Sequence, residues 1–172
     1  MKPINWVQFT WDLSAIADTC PPLPEHYQIA LATPADEKEL RRVISSSFSL
    51  DPDWNASMKE VMLTIEPWLD RAEQSGPVSC LALRHGSRII GASVLSTDAS
   101  ADNHLAPGPC VLIEYRNRGL GTHLLHTSLT TLRDAGLGRA SAISKENSLA
   151  TKFLYTKFNS THAPHDDAAL AA

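Results

Sequence analysis

Over residues 6–13 apolar and polar positions alternate, with Val7, Phe9, Trp11 and Leu13 on one side and Trp6, Gln8, Thr10 and Asp12 on the other. A period of two predicts a strand with one apolar face. Cys20-Pro21-Pro22-Leu23-Pro24 breaks regular structure and reads as a linker. Residues 27–32 form a second short strand candidate. Thr33-Pro34-Ala35-Asp36 then opens a helix, with Thr33 as N-cap, Pro34 in the first helical position and Asp36 as the capping-box acid. Leu40, Val43, Ile44 and Phe48 make its buried stripe. Met58, Val61, Met62, Ile65, Trp68 and Leu69 also keep helical spacing, with Pro67 forcing a kink or a break.

Residues 78–83 and 89–95 read as two strands of a hairpin turning at His85-Gly86-Ser87. Residues 96–109 are polar and rich in turn formers, so a loop is expected. A short apolar strand follows at 110–113, then a helix over 122–135 with Leu124, Leu125, Leu129 and Leu132 inward and Gly136 as its C-terminal cap. A strand at 140–144 and a helix at 148–158 complete the pattern. From Asn159 onward the chain reads as a poorly ordered tail. The chain is expected to be one domain over 1–172, with residues 1–24 as an N-terminal extension carrying the extra strand and 160–172 as a flexible tail.

Length and composition agree with that reading. A chain of 172 residues, 43% hydrophobic and 20% charged, suits one globular domain with a sizeable core. A net charge of −4 argues against nucleic acid as the main partner. No apolar run approaches the ~20 residues that span a bilayer, so no membrane partner is expected. The first residues, MKPINWVQFTWDL, lack the features of a signal peptide. Cys20, Cys80 and Cys110 have no C-x-x-C spacing and read as thiols of a reducing, cytoplasmic compartment.

The most informative stretch is Val111 to Leu125, VLIEYRNRGLGTHLL. A strand passes through Arg116-Asn117-Arg118-Gly119-Leu120-Gly121 into an amphipathic helix. Glycines let a backbone approach a ligand closely, and the first helical turn offers unpaired N–H groups at the positive end of the dipole. A phosphate or diphosphate is the natural guest. The P-loop pattern is absent, because no Lys-Ser or Lys-Thr follows these glycines. The dinucleotide fingerprint fails at its third glycine, where Leu124 stands. The pattern that fits is R-x-x-G-x-G, carried by Arg116, Gly119 and Gly121.

At these residues the chain resembles the GNAT superfamily of acyl-CoA-dependent N-acyltransferases, and the resemblance covers roughly residues 27–159. It implies an α/β (α+β) fold with a mixed central sheet flanked by helices, and acetyl-CoA as cosubstrate with no metal. It also implies that the backbones of Val111, Leu112 and Ile113 pair with the pantetheine arm, and that Arg116, Asn117, Arg118, Gly119, Leu120, Gly121 and Thr122 surround the diphosphate. Asn147-Ser148-Leu149-Ala150, followed by Tyr155 and Lys157, resembles the second cofactor motif. Tyr155 falls one residue later than usual, and Asn159 stands in place of a glycine. Tyr155 either protonates the departing thiolate, as the matching tyrosine is proposed to do in the family, or is a core residue with its hydroxyl bonded to backbone. Glu114 is either the carboxylate that deprotonates the amine or an exposed charge at a strand end. His123 and His126 share a helix face, but without further ligands they read as surface or groove-lining residues.

The family usually ends in a helix and two strands, and the residues after 159 are too few for both strands. The extra strand at 6–13 is therefore expected at the sheet edge left vacant, within the chain or exchanged in a homodimer. The implied function is transfer of an acetyl group to a primary amine of a small molecule or peptide. The alternatives are a module that binds acyl-CoA without catalysis, and a nucleotide-binding α/β domain.

Overall fold

The alternating N-terminal segment forms β1 (Trp6–Asp12), and Phe9, Trp11 and the next residue, Leu13, are buried as the pattern predicts. The computed structural model describes residues 5–49, 70, 78–105 and 108–165. β2 (Tyr27–Leu31) leads to the Thr33 cap. There the Asp36 carboxylate accepts the Thr33 N–H at 2.9 Å and its hydroxyl at 3.2 Å. Pro34–Asp36 is a 3-10 turn, so α1 (Glu37–Ser49) starts one turn later than the cap suggests. Leu40, Val43 and Ile44 are its buried stripe. The Phe48 side chain and the helix expected over 58–69 lie outside the described residues.

β3 (Val78–His85) and β4 (Arg88–Ser96) make the expected hairpin. β5 is only Cys110–Val111, shorter than expected, because Ile113–Tyr115 closes into a 3-10 turn with the Tyr115 N–H on the Leu112 carbonyl at 2.9 Å. α2 (Leu120–Asp134) begins two residues before the expected start and buries Leu124, Leu125, Leu129 and Leu132. After it, the Leu137 N–H returns to the Leu132 carbonyl at 3.2 Å, closing the helix end. β6 is Arg139–Lys145. The expected helix over 148–158 shrinks to one π-helical turn, Ala150–Leu154. Phe158 and Asn159, at φ 61° and 60°, then turn the chain back.

The expected disordered tail is corrected in part, since Thr161–His165 forms β7. Two sheets result, in the orders β2-β3-β4-β5 and β6-β1-β7, with every strand pair of the described residues antiparallel. The class is α+β. Residues Ile89 to Ser96 of β4 are all buried, which requires cover on both faces, and α1 and α2 both pack on this strand.

β1 does not occupy a sheet edge. It is the middle strand of its sheet, paired from Trp6↔Lys145 to Asp12↔Arg139 with β6 and from Trp6↔His165 to Thr10↔Thr161 with β7, all within one chain. The physical reason is visible in the two candidates for the edge. β1 has ladder groups on both sides and buries Phe9 and Trp11, whereas β7 is largely exposed and contains Pro164, a residue confined to edges because it lacks an N–H.

Candidate active site

Among the described residues no backbone ladder joins β5 to β6, so the two sheets part there. The Leu112 N–H bonds the Ile90 carbonyl at 2.8 Å, continuing the β4 ladder. Antiparallel pairs alternate between bonded and non-bonded, so Val111, opposite Gly91, turns its N–H and C=O away from β4 toward the gap. The Val111 carbonyl accepts Nε of Arg116 at 3.1 Å. The Leu112 carbonyl accepts the Tyr115 N–H and the Ile113 carbonyl accepts the Arg116 N–H at 3.3 Å. Of the three backbones expected at the pantetheine arm, Val111 therefore offers an N–H to the gap, while the carbonyls fold the connection into the cradle.

The cradle lies at the start of α2. Gly119 is its N-cap at φ 76°, a left-handed conformation that glycine adopts without strain, and a side chain there would meet nothing within 4 Å. The first helical bond runs from the His123 N–H to the Gly119 carbonyl at 3.3 Å. The amides of Gly119, Leu120, Gly121 and Thr122 precede it and have no intrahelical acceptor. They stand at the positive end of the helix dipole. Such a row suits the diphosphate of a CoA-type ligand. Asn117, at φ 63°, makes the turn before it.

The two arginines differ. Arg116 binds the Val111 carbonyl and, through Nη2, the Ser47 carbonyl of α1 at 3.0 Å. It ties the cradle to the body of the protein. Arg118 is exposed, with its guanidinium 5.2 Å from the Tyr115 ring centroid and hydrogen-bonded to the Glu114 carbonyl at 3.2 Å. Its Nη1 also reaches the Tyr27 hydroxyl at 3.4 Å. The Glu114 carboxylate is half-exposed and pairs with Arg88 at 3.4 Å.

Tyr155 lies across the parting of the sheets. Its ring packs on Phe9 and Trp11 of β1, at centroid distances of 5.5 and 5.7 Å, and the residue is 4% exposed. Its hydroxyl reaches the β5 side, so close to Gly108 that a Cβ there would overlap the oxygen. Burial, with the Cys110 thiol as a lesser cause, raises the phenol above its usual range, so it stays protonated at neutral pH. The one-residue lateness of Tyr155 has a local explanation. Its N–H bonds the Ala150 carbonyl at 2.8 Å, an i to i−5 bond. A π-turn accommodates one extra residue and restores the direction of the chain beyond it. That turn also rests on the cradle, since a Cβ at Gly121 would sit 3.8 Å from Leu154. Asn147, exposed at φ 67°, forms the bend between β6 and this turn.

Sequence reasoning did not anticipate Gly108, Cys110, Phe9 or Trp11 around Tyr155. Only the glycine between Pro107 and Pro109 offered a signal. His123 and His126 stand apart from this chemistry: His123 contacts Cys20 at 3.7 Å, and His126 bonds the Ala17 carbonyl at 2.8 Å. Among the described residues no group of three or more His, Cys, Asp or Glu could hold a metal ion, and no helix is long and apolar enough to cross a membrane.

A model of the Acetyltransferase (GNAT) family matches residues 38–159. No curated protein matches the chain. Among solved structures, a conserved protein of unknown function from Staphylococcus epidermidis ATCC 12228 superposes with a TM-score of 0.64 at 13% identity, covering 94% of this chain and 59% of that one. A GCN5-related N-acetyltransferase from Sphaerobacter thermophilus gives 0.55 at 18% identity, covering 86% and 45%. A GNAT family acetyltransferase from Brucella melitensis, solved with acetyl-CoA, gives 0.50 at 24% identity, covering 65% and 71%. The chain thus spans 59% and 45% of the first two of these proteins.

Proposed function

The chain belongs to the GNAT acetyltransferase family, and we propose that it is an N-acetyltransferase moving the acetyl group of acetyl-CoA to a primary amine. One observation supports the reading: the helix whose first four amides, Gly119 to Thr122, lack an intrahelical acceptor follows β5, where the two sheets part, and Tyr155 packs between Phe9 of β1 and Gly108. The acetyl-CoA bound by the Brucella relative supports the choice of cosubstrate. When bound, the thioester supplies an activated acyl carbon. The chain's own parts do the rest. Amides 119–122 hold the diphosphate with Arg118 at the rim, and the Val111 N–H aligns the arm in the gap. The buried, protonated Tyr155 hydroxyl gives its proton to the departing sulfur. A lysine-like amine must first lose a proton, which costs about 4–5 kcal/mol at pH 7. Three free thiols suit a reducing, cytoplasmic setting.

A second reading, a module that binds acyl-CoA without transfer, is favoured by Glu114, whose carboxylate pairs with Arg88 at the surface. Calorimetry with acetyl-CoA, followed by a thiol-release assay over a panel of amines, separates the two. Heat of binding with thiol release supports the enzyme. Heat without release against every amine supports the module. No heat defeats both.

A further inference from the structure

Among the described residues, a histidine makes a main-chain joint between the two sheets that part at β5 and β6. The Ser96 N–H of β4 bonds the His104 carbonyl at 2.9 Å, and the His104 N–H bonds the Ser141 carbonyl of β6 at 2.7 Å. The return bond of an ordinary bridge would run from the Ser141 N–H to a main-chain carbonyl. Here it runs at 3.0 Å to the His104 ring nitrogen Nδ1. The other ring nitrogen, Nε2, contacts the Asp98 carbonyl at 2.9 Å. An N–H on one side and a carbonyl on the other permit one ring state, with Nδ1 bare and Nε2 protonated. His104 is 3% exposed.

We propose that His104 is a positioning residue that sets the opening between β5 and β6 and does so only as the neutral imidazole, so that acid loosens the gap in which the acyl arm would lie. The proposal rests on the reading of that gap as the CoA site. A proton on Nδ1 would face the Ser141 N–H and break the joint. The charged groups that bear on the ring oppose one another. Asp98 favours the imidazolium, although its carboxylate is engaged by the Ser100 N–H and hydroxyl, and Arg139 of β6 disfavours it. From β1 the side chain reaching this loop is the neutral Gln8, on the Asp102 carbonyl at 3.0 Å. Burial is the largest influence and moves the ring toward the neutral form.

Two variants and two readouts test this. In His104→Asn the side-chain oxygen can take the place of Nδ1 and does not titrate; His104→Leu removes the acceptor. Acetyl-CoA affinity is measured by calorimetry from pH 5 to 8, and hydrogen exchange of the Ser141 amide over the same range, corrected for intrinsic rates. In the wild type protection should fall below about pH 6.5, by up to about tenfold per pH unit, and affinity should fall at a lower pH, because burial holds the folded ring below its usual range. His104→Asn should hold both flat, with affinity within about threefold of wild type at pH 8, and His104→Leu should lose about tenfold at every pH. A wild-type Ser141 amide whose protection does not change with pH, or an Asn variant with the same acid loss, overturns the proposal. Absence of acetyl-CoA binding at every pH refutes the function proposed above, and the Ser141 exchange curve of the wild type then decides the joint alone.

Discussion

Tyr155 is held by neighbours that leave it no freedom: Phe9 and Trp11 on its ring and the Gly108 backbone against its hydroxyl. Gly108→Ala should therefore cost about 1–3 kcal/mol by overpacking. Removing the clashing oxygen with Tyr155→Phe should recover part of that cost, so the double variant should melt higher than the sum of the singles predicts. Additive melting shifts would show that the close approach does not hold in solution. Tyr155→Phe alone should leave acetyl-CoA affinity within a few-fold while lowering turnover about 100-fold or more. Equal loss in binding and turnover would make the residue part of the packing and not a proton donor. The alternation of residues 6–13 already put Phe9 and Trp11 on one face, but not against Tyr155, because a contact across some 145 positions leaves no mark on a period of two. Arg116 shows the converse. Its spacing from Gly119 and Gly121 marked the cradle, yet charge alone pointed to an anion, while the guanidinium binds two carbonyls of its own chain.

At the scale of elements, the π-turn and β1 carry the departures from expectation. A one-residue excess before Tyr155 is visible only against the family's spacing, and a backbone can absorb it by looping out, by rotating the tyrosine or by a wider turn. The chain takes the last course, through the bond from Tyr155 to Ala150. Deleting the exposed Lys152 should convert the turn to α geometry with Tyr at the same place, leaving the melting temperature within a few degrees and acetyl-CoA affinity within a few-fold. Loss of binding with an intact fold would show that the extra residue itself is needed. β1 was legible as a strand, yet its central place was not, because β7 (Thr161–His165) has no apolar face to announce it and is held by main-chain pairing to β1. Removing residues 1–22 takes away the strand to which both β6 and β7 are bonded, so unfolding at ordinary temperature is expected by circular dichroism. A truncated protein melting like the full chain would exclude the central role.

For the whole molecule, the response to acid separates two joints. The His104 ring prefers to be neutral when folded, so its contribution is complete above about pH 6.5 and declines below it. The second joint is Asp36, which caps the start of α1 and reaches Arg84 of β3 at 2.7 Å, fastening helix to sheet. The Thr33 N–H, and then Arg84, hold this carboxyl below its usual range. The folded state therefore binds that proton more weakly than the unfolded chain does. Its stabilisation is complete above about pH 4 and disappears as the pH falls through the lower folded value. Asp36→Asn should cost about 1 kcal/mol at pH 7, or about 2–4 °C in melting temperature. The wild type and variant curves should converge only below the lowered folded value, where both side chains are neutral. The motif Thr33-Pro34-Ala35-Asp36 made the cap legible, but the partner Arg84 could not be read, since strand pairing decides which basic residue arrives there. A melting difference that stays constant from pH 7 to pH 2 would mean that the carboxylate's charge does not fasten α1 to the sheet, and that shape alone distinguishes Asp from Asn at this joint.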